Sequence, residues 1–256
     1  MRITHVGGPT TLIEVGGWRL LTDPTFDPPG RRYSFGPGAS SRKMTGPAVP
    51  ADALGRIDAV LLSHDQHADN LDDAGRALLP SAGAVLTTVA AASRLGGGAR
   101  GLAPWNRTVL EATGRAPLAV TATPGRHGPP LTGPIVGEVT GFAVRVGDGA
   151  VLWISGDTVL HGAVREVANR FDVDVAVVHL GAVQFPTTRS LKYTMSAADA
   201  VKLCGHLRPR AIVPVHYEGW SHFQQDRAAA QADFAAASAE VATAVRWLNP
   251  GTPTDV

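Results

Sequence analysis

The stretch LLSHDQHADNLDD, Leu61–Asp73, places two histidines and four aspartates directly after the apolar run Ile57–Leu62. Imidazole nitrogen and carboxylate oxygen are the donor types that divalent metals take from proteins, so this density points to metal ligation. Polar clusters recur where other apolar runs end: Thr123-Pro124-Gly125-Arg126-His127, Ser155-Gly156-Asp157-Thr158, His179 and Pro214-Val215-His216. Loops at the ends of a rigid sheet are where sites commonly form. The opening cluster also has a plainer explanation, a strand-to-helix turn in which Asp69 or Asn70 caps the next helix. For Asn70 the cap is the better reading.

The elements that must position these residues follow from hydrophobic periodicity. Arg2–Val6, Thr10–Val15 and Trp18–Thr22 read as strands, with Gly16-Gly17 as a hairpin turn. Asp23–Pro50 is a long loop without period, and such loops are usually functional or mobile. Arg56–Leu62 is a buried strand, Leu71–Leu79 a short helix, and Ala84–Thr88 and Leu118–Thr123 are further strands. Ile135–Val146 turns at Gly147-Asp148-Gly149 into Ala150–Ile154. A helix near Leu160–Asn169, a strand Val173–His179, a helix Ser196–His206 capped by Ser196, and a strand Arg210–Val215 follow. Arg227–Ala242 is an Ala-rich helix and Val245–Leu248 a closing strand. Hairpins opening each half and strand–helix alternation closing it predict an α/β (α+β) chain of two mixed sheets with helices outside, a single domain over 1–256.

In order, SHDQHADNLD, TPGRHG, SGDT and VPVHYEGW resemble the metallo-β-lactamase superfamily, in particular its ascorbate-phosphate lactonase-like and N-acyl-phosphatidylethanolamine phospholipase D-like branch. LLTDP at Leu20–Pro24 and HLGAV at His179–Val183 support this, and the resemblance spans nearly the whole chain. It implies a four-layer αββα sandwich and a metal-dependent hydrolase, a metallo-hydrolase domain acting through a metal-bound hydroxide on an ester, lactone or phosphodiester. It also implies a ligand set of His64, His67, Asp69, His127, Asp157 and His216. Asp69 and Asp157 are then the catalytic carboxylates, with Asp157 bridging two ions, and Asp23 orients a ligand histidine from behind. The expected cofactor is zinc, one or two ions, with manganese or iron as alternatives.

The first motif departs from the superfamily's His-x-His-x-Asp-His. Aligned on Asp69, it puts Asp65 at the first histidine and Asn70 at the last; one inserted residue restores His64 and His67. Asp65 and Asn70 therefore stay open as ligands. A neutral amide oxygen is a poor zinc ligand beside imidazole, so the second half-site is expected to be weak. That departure motivates the alternative of a catalytically inactive metal-binding or ligand-sensing protein. His179, Arg31, Arg32, Trp220 and His222 are candidate substrate contacts, with the basic Asp23–Pro50 loop, Lys43 included, as a lid over an anionic small molecule.

The 256 residues carry a formal net charge of +1, which offers no bulk attraction to nucleic acid. The superfamily's nucleases usually carry an inserted domain for which this chain has no room. Cys204 is the only cysteine, so there is no disulfide framework. Neither a signal-peptide pattern nor a membrane-length apolar run is visible, and a cytoplasmic location is expected. A homo-oligomer is left open.

Overall fold

The computed structural model describes residues 1–36, 38–185 and 191–256. The first half builds β1 (Arg2–Gly7), β2 (Thr10–Val15), β3 (Trp18–Thr22), a small hairpin β4 (Arg32–Ser34) and β5 (Ser40–Arg42), β6 (Ala59–Leu61), α1 (Asp73–Leu78), β7 (Val85–Thr87), α2 (Val89–Leu95) and β8 (Arg100–Gly101). The second half adds β9 (Arg107–Leu110), β10 (Leu118–Pro124), α3 (Gly133–Val136), β11 (Thr140–Val146) and β12 (Val151–Ile154). It continues through α4 (Gly162–Arg165), α5 (Val167–Arg170), β13 (Val173–His179), α6 (Ala197–Leu207), β14 (Ala211–Val215), α7 (Arg227–Ala235), α8 (Ala239–Ala244) and β15 (Thr254–Asp255).

Two sheets result, in the orders β15-β1-β2-β3-β6-β7-β8 and β14-β13-β12-β11-β10-β9. Side chains alternate across a strand with period two, and the sequence uses this to make three apolar layers. Phe142, Val144, Leu152, Ile154, Val175 and Val177 of the second sheet face Ile3, Ile13, Leu20, Leu61 and Leu86 of the first. The intervening Ala143, Trp153, Ala176 and Val178 face outward against Leu203 and Cys204 of α6 and Phe234 of α7. On the far side, Leu21, Val60 and Leu62 pack under Leu54, Leu71 and Leu79. This is the expected αββα sandwich. Each fully buried Val, Leu, Ile or Phe contributes about 1.5–3 kcal/mol of transfer free energy.

The topology gathers chemistry on one rim. β3 and β6 run parallel, as do β12, β13 and β14. β10 is antiparallel to β11, which is antiparallel to β12, so β10 points the same way as β12. The loops carrying Asp23, His64, His127, Asp157, His179 and His216 therefore leave from C-terminal strand ends.

Some expected elements differ. The helix after the first motif starts at Asp73 and its N-cap is Asp72, whose side chain accepts from Gly75 N, so neither Asp69 nor Asn70 caps it. Leu160–Asn169 forms two short turns, α4 and α5. The Ala-rich run is split because Ser238 takes extended backbone and starts α8 afresh. Val245 makes a single bridge to Ile212; Pro250-Gly251 then carry the chain to the other sheet, where β15 closes on β1. The Asp23–Pro50 loop contains the β4–β5 hairpin.

α6 opens with the predicted cap: Ser196 Oγ accepts from Asp199 N, and Asp199 accepts from Ser196 N. Ser196→Ala should cost about 1 kcal/mol, read as a lower denaturant midpoint at unchanged slope. Among the described residues no helix is long and apolar enough to cross a membrane.

Candidate metal centre

Three buried imidazoles converge first. His64 Nε2 lies 2.9 Å from His67 Nδ1, which lies 3.0 Å from His127 Nε2. Burial, then the neighbouring rings, lower His64 well below the ordinary histidine range, and His127 falls to about 3. His67 is lowered by burial against the opposing pull of Asp69. Neutral rings have a lone pair to offer. At His127 the tautomer is fixed, because Nδ1 lies 2.8 Å from the Tyr193 carbonyl and must donate to it, leaving Nε2 bare toward the cluster.

A second cluster adjoins the first. His216 Nε2 is 3.3 Å from Asp157 Oδ2 and 3.4 Å from Asp69 Oδ2, all three residues being buried. Its Nδ1 donates to the Leu180 carbonyl at 3.2 Å. His216 sits at φ +59°, a left-handed conformation costing roughly 1–3 kcal/mol, held by its own N–H donating to Gly8 O at 2.8 Å. Burial would lower His216, but the Asp157 and Asp69 carboxylates outweigh it and push it up to about 9. Burial raises Asp157 to about 6, and Asp69 is held low by His216 and His222 against its own burial.

These residues fit divalent metal. Zinc bonds of about 2.0–2.1 Å place tetrahedral donor atoms roughly 3.3 Å apart, close to the observed spacings. His216 Nε2 is buried, makes no well-aligned hydrogen bond and faces the Asp157 and Asp69 carboxylates, the donor set of a cation site. Either cluster is a group of three donors able to hold an ion.

The remaining sequence candidates fall elsewhere. Asp65 turns away from both clusters and pairs with Arg94 of α2, at 2.5 Å from Nη2. Asp23 accepts from Ser63 N at 2.6 Å and has Oδ2 3.3 Å from His179 Nε2. It therefore positions the first motif through backbone, rather than by gripping a ring of the two clusters. His179 is fully buried between Asp23 and Ser155, with its ring centroid 5.8 Å from that of His216. Arg31 is tied to Asp73 at 2.5 Å with its side chain 57% exposed, and exposed Arg32 donates to Ser40 Oγ. Lys43 is buried on Asp72 at 2.7 Å. Arg31 and Lys43 of the basic loop thus spend their charge on the protein's own carboxylates. Trp220 packs edge-on to Tyr33 and fastens the β4–β5 hairpin to the C-terminal segment.

His222 comes closer than the sequence suggested. Its Nε2 is 3.0 Å from Asp69 Oδ2 and its Nδ1 2.5 Å from Ser41 Oγ of β5. Phe35 and Phe185 wall this side, with ring centroids 5.0 and 5.3 Å from His222. Phe35 belongs to the Asp23–Pro50 loop expected to act as a lid; Phe185 did not stand out in sequence, since it reaches the site from a loop remote from the histidine motif. A cleft of about 380 Å³ lined by Val89, Leu102, Pro104 and Val139 opens against His127.

The family description for a beta-lactamase superfamily domain matches residues 18–217. The chain belongs to this superfamily. A UPF0173 metal-dependent hydrolase of Opitutus terrae is 29% identical over 273 residues, covering 100% of both chains, and one from Pelotomaculum thermopropionicum is 27% identical, covering 98% of each. Among solved structures, an isothiocyanate hydrolase from Delia radicum gut bacteria superposes with a TM-score of 0.81 at 22% identity, covering 100% of this chain and 99% of that one.

Proposed function

We propose that this superfamily member hydrolyses an ester, lactone or phosphodiester bearing an apolar group. In this reading His64, His67 and His127 hold one divalent ion, and Asp69, Asp157 and His216 hold a second. The hydrolase class rests on superfamily membership and on the shared name of its relatives. The observation that carries the site is the set of six buried donors from four strand-end loops, turned inward on one another in two groups of three.

Bound there, divalent metal supplies Lewis acidity and lowers the pKa of water to roughly 7. The protein's own part is positional. The Tyr193 carbonyl holds His127 in one tautomer, and Gly8 and Leu180 hold His216. Asp69 and Asp157 are the carboxylates nearest any proton released. Phe35 and Phe185 exclude water and favour an apolar or aryl substituent. Arg31 and Arg32, engaged outside, leave recognition of a substrate anion to other groups. Three imidazoles suit zinc.

His222 braces Asp69 from the substrate side, and such outer partners typically matter 10–100-fold in metal affinity. His222→Ala should weaken the second ion by that factor in chelator competition, with the first ion retained. For the reading as a whole, elemental analysis of protein purified without chelator should find close to two ions per chain. A panel of aryl and alkyl esters, lactones and phosphodiesters should show turnover that chelation removes and metal restores. Absence of metal from the wild type would sink the assignment.

A further inference from the structure

Asn70 occupies the place where the superfamily motif has its last histidine, and its side chain is fully buried. One end of its amide lies 3.0 Å from Asp157 Oδ2 and 3.3 Å from Asp69 Oδ1, and the other 3.4 Å from Ser63 Oγ. With oxygen at the first end, the amide joins the two carboxylates as a third oxygen donor at one buried point. A half-turn of the amide, nearly free in volume, would let nitrogen donate to both carboxylates instead. Oxygen inward is unfavourable unless a cation sits among the oxygens. Nitrogen inward is the arrangement that suits a centre without one. The helix-capping duty that would otherwise account for this residue belongs to Asp72.

We propose that Asn70 Oδ1 is a ligand of the second half-site, giving it two carboxylates, one amide and one imidazole, so that it favours zinc over manganese(II) much less than the three-imidazole half-site does. This rests on the two-ion reading above. Carboxylate and carbonyl oxygens suit manganese and imidazole suits zinc, although zinc binds more tightly than manganese at almost any such site. The claim therefore concerns the ratio of affinities. The same amide is linked to the first half-site, because Ser63 Oγ also contacts His64 Nδ1 at 2.9 Å.

The test uses the full chain stripped by chelator, then loaded with one equivalent of zinc and an excess of manganese(II). Bound metal is read by elemental analysis, and manganese by its electron spin resonance signal. Wild type should hold one zinc and one manganese. Asn70→His should raise the zinc-over-manganese preference of the second half-site at least tenfold. Asn70→Leu should lose the second ion and keep one zinc. Circular dichroism checks folding, and Asn70→His decides alone if the leucine variant fails to fold. An unchanged preference in Asn70→His, or two ions held with wild-type affinity by a folded Asn70→Leu, would overturn the proposal. If the two-ion reading itself were at fault, the wild type would bind at most one ion, and both it and Asn70→His would take up no manganese beside one zinc, a different result from either.

Discussion

Metal-loaded Asp157→Asn should lose its second ion and at least 10²–10³-fold in turnover, while its metal-free form is as stable as the metal-free wild type or more so. Without a cation, Asp157 is a fully buried carboxyl raised to about 6, chiefly by burial and further by Asp69 and Asp23, against the pull of His216 and His179. Removing its charge relieves that burial penalty, which outweighs the attraction of His216 and His179. With a cation present the sign reverses, because the same charge becomes a ligand. Ligand linkage gives the wild type about 2.7 kcal/mol at a hundredfold excess over Kd, which for a chain of this size is a melting shift of roughly 5–11 °C. The variant should show little of that shift at the second half-site. The loss in turnover follows the scale of removing one group that meets developing charge. The check is a pair of melting curves, with and without metal, beside a rate on whichever panel substrate responds. A metal-free variant markedly less stable than metal-free wild type would mean that Asp157 is a structural residue.

How much of this was legible in sequence depends on how far each residue's partner lies along the chain. The strand-end position of His64, His127, Asp157 and His216 could be read locally, since an apolar run followed by a polar cluster marks both the strand and its rim. The inserted residue between His64 and His67 could be read as well. What the insertion does with Asp65 could not, because the partner is Arg94, on a helix the sequence reading did not predict. The cap of α1 illustrates the same limit. Asp69, Asn70, Asp72 and Asp73 are all cap-forming types, and only contacts from the Asp23–Pro50 loop single out Asp72. Arg31 and Lys43 of that loop looked like part of a clamp for a substrate anion because their own acidic partners, Asp73 and Asp72, lie dozens of residues away. Phe35 could be read as part of the lid loop, but its partner Phe185 could not, because the two meet only in the folded chain.

Those loop contacts carry the second large effect. Asp72 is fully buried and accepts four hydrogen bonds: from Phe26 N at 2.9 Å, Asp27 N at 2.7 Å, Gly75 N at 2.8 Å and Lys43 Nζ at 2.7 Å. One carboxylate thus starts α1 and fastens both ends of the long loop to it, three residues from Asp69. Asp72→Ala would strand the Lys43 ammonium, whose side chain is 3% exposed, and leave three amides without their acceptor. Breaking a buried ion pair from one side costs about 3–5 kcal/mol, which predicts a melting temperature lower by roughly 6–20 °C. Lys43→Met alone should cost less, because Asp72 keeps its three amide donors. Adding Lys43→Met to Asp72→Ala should recover part of the loss, because the stranded charge goes with it. Thermal melts of both single variants and the double variant give the coupling directly. A double variant as unstable as the sum of the two singles would mean that Lys43 and Asp72 act independently, and that the loop is held by its backbone alone. With the coupling present, the loop that sets Phe35 over the centre and Ser41 on His222 is tied to the metal-bearing segment by one buried charge pair. Loosening that pair should then weaken the second ion as well as the fold.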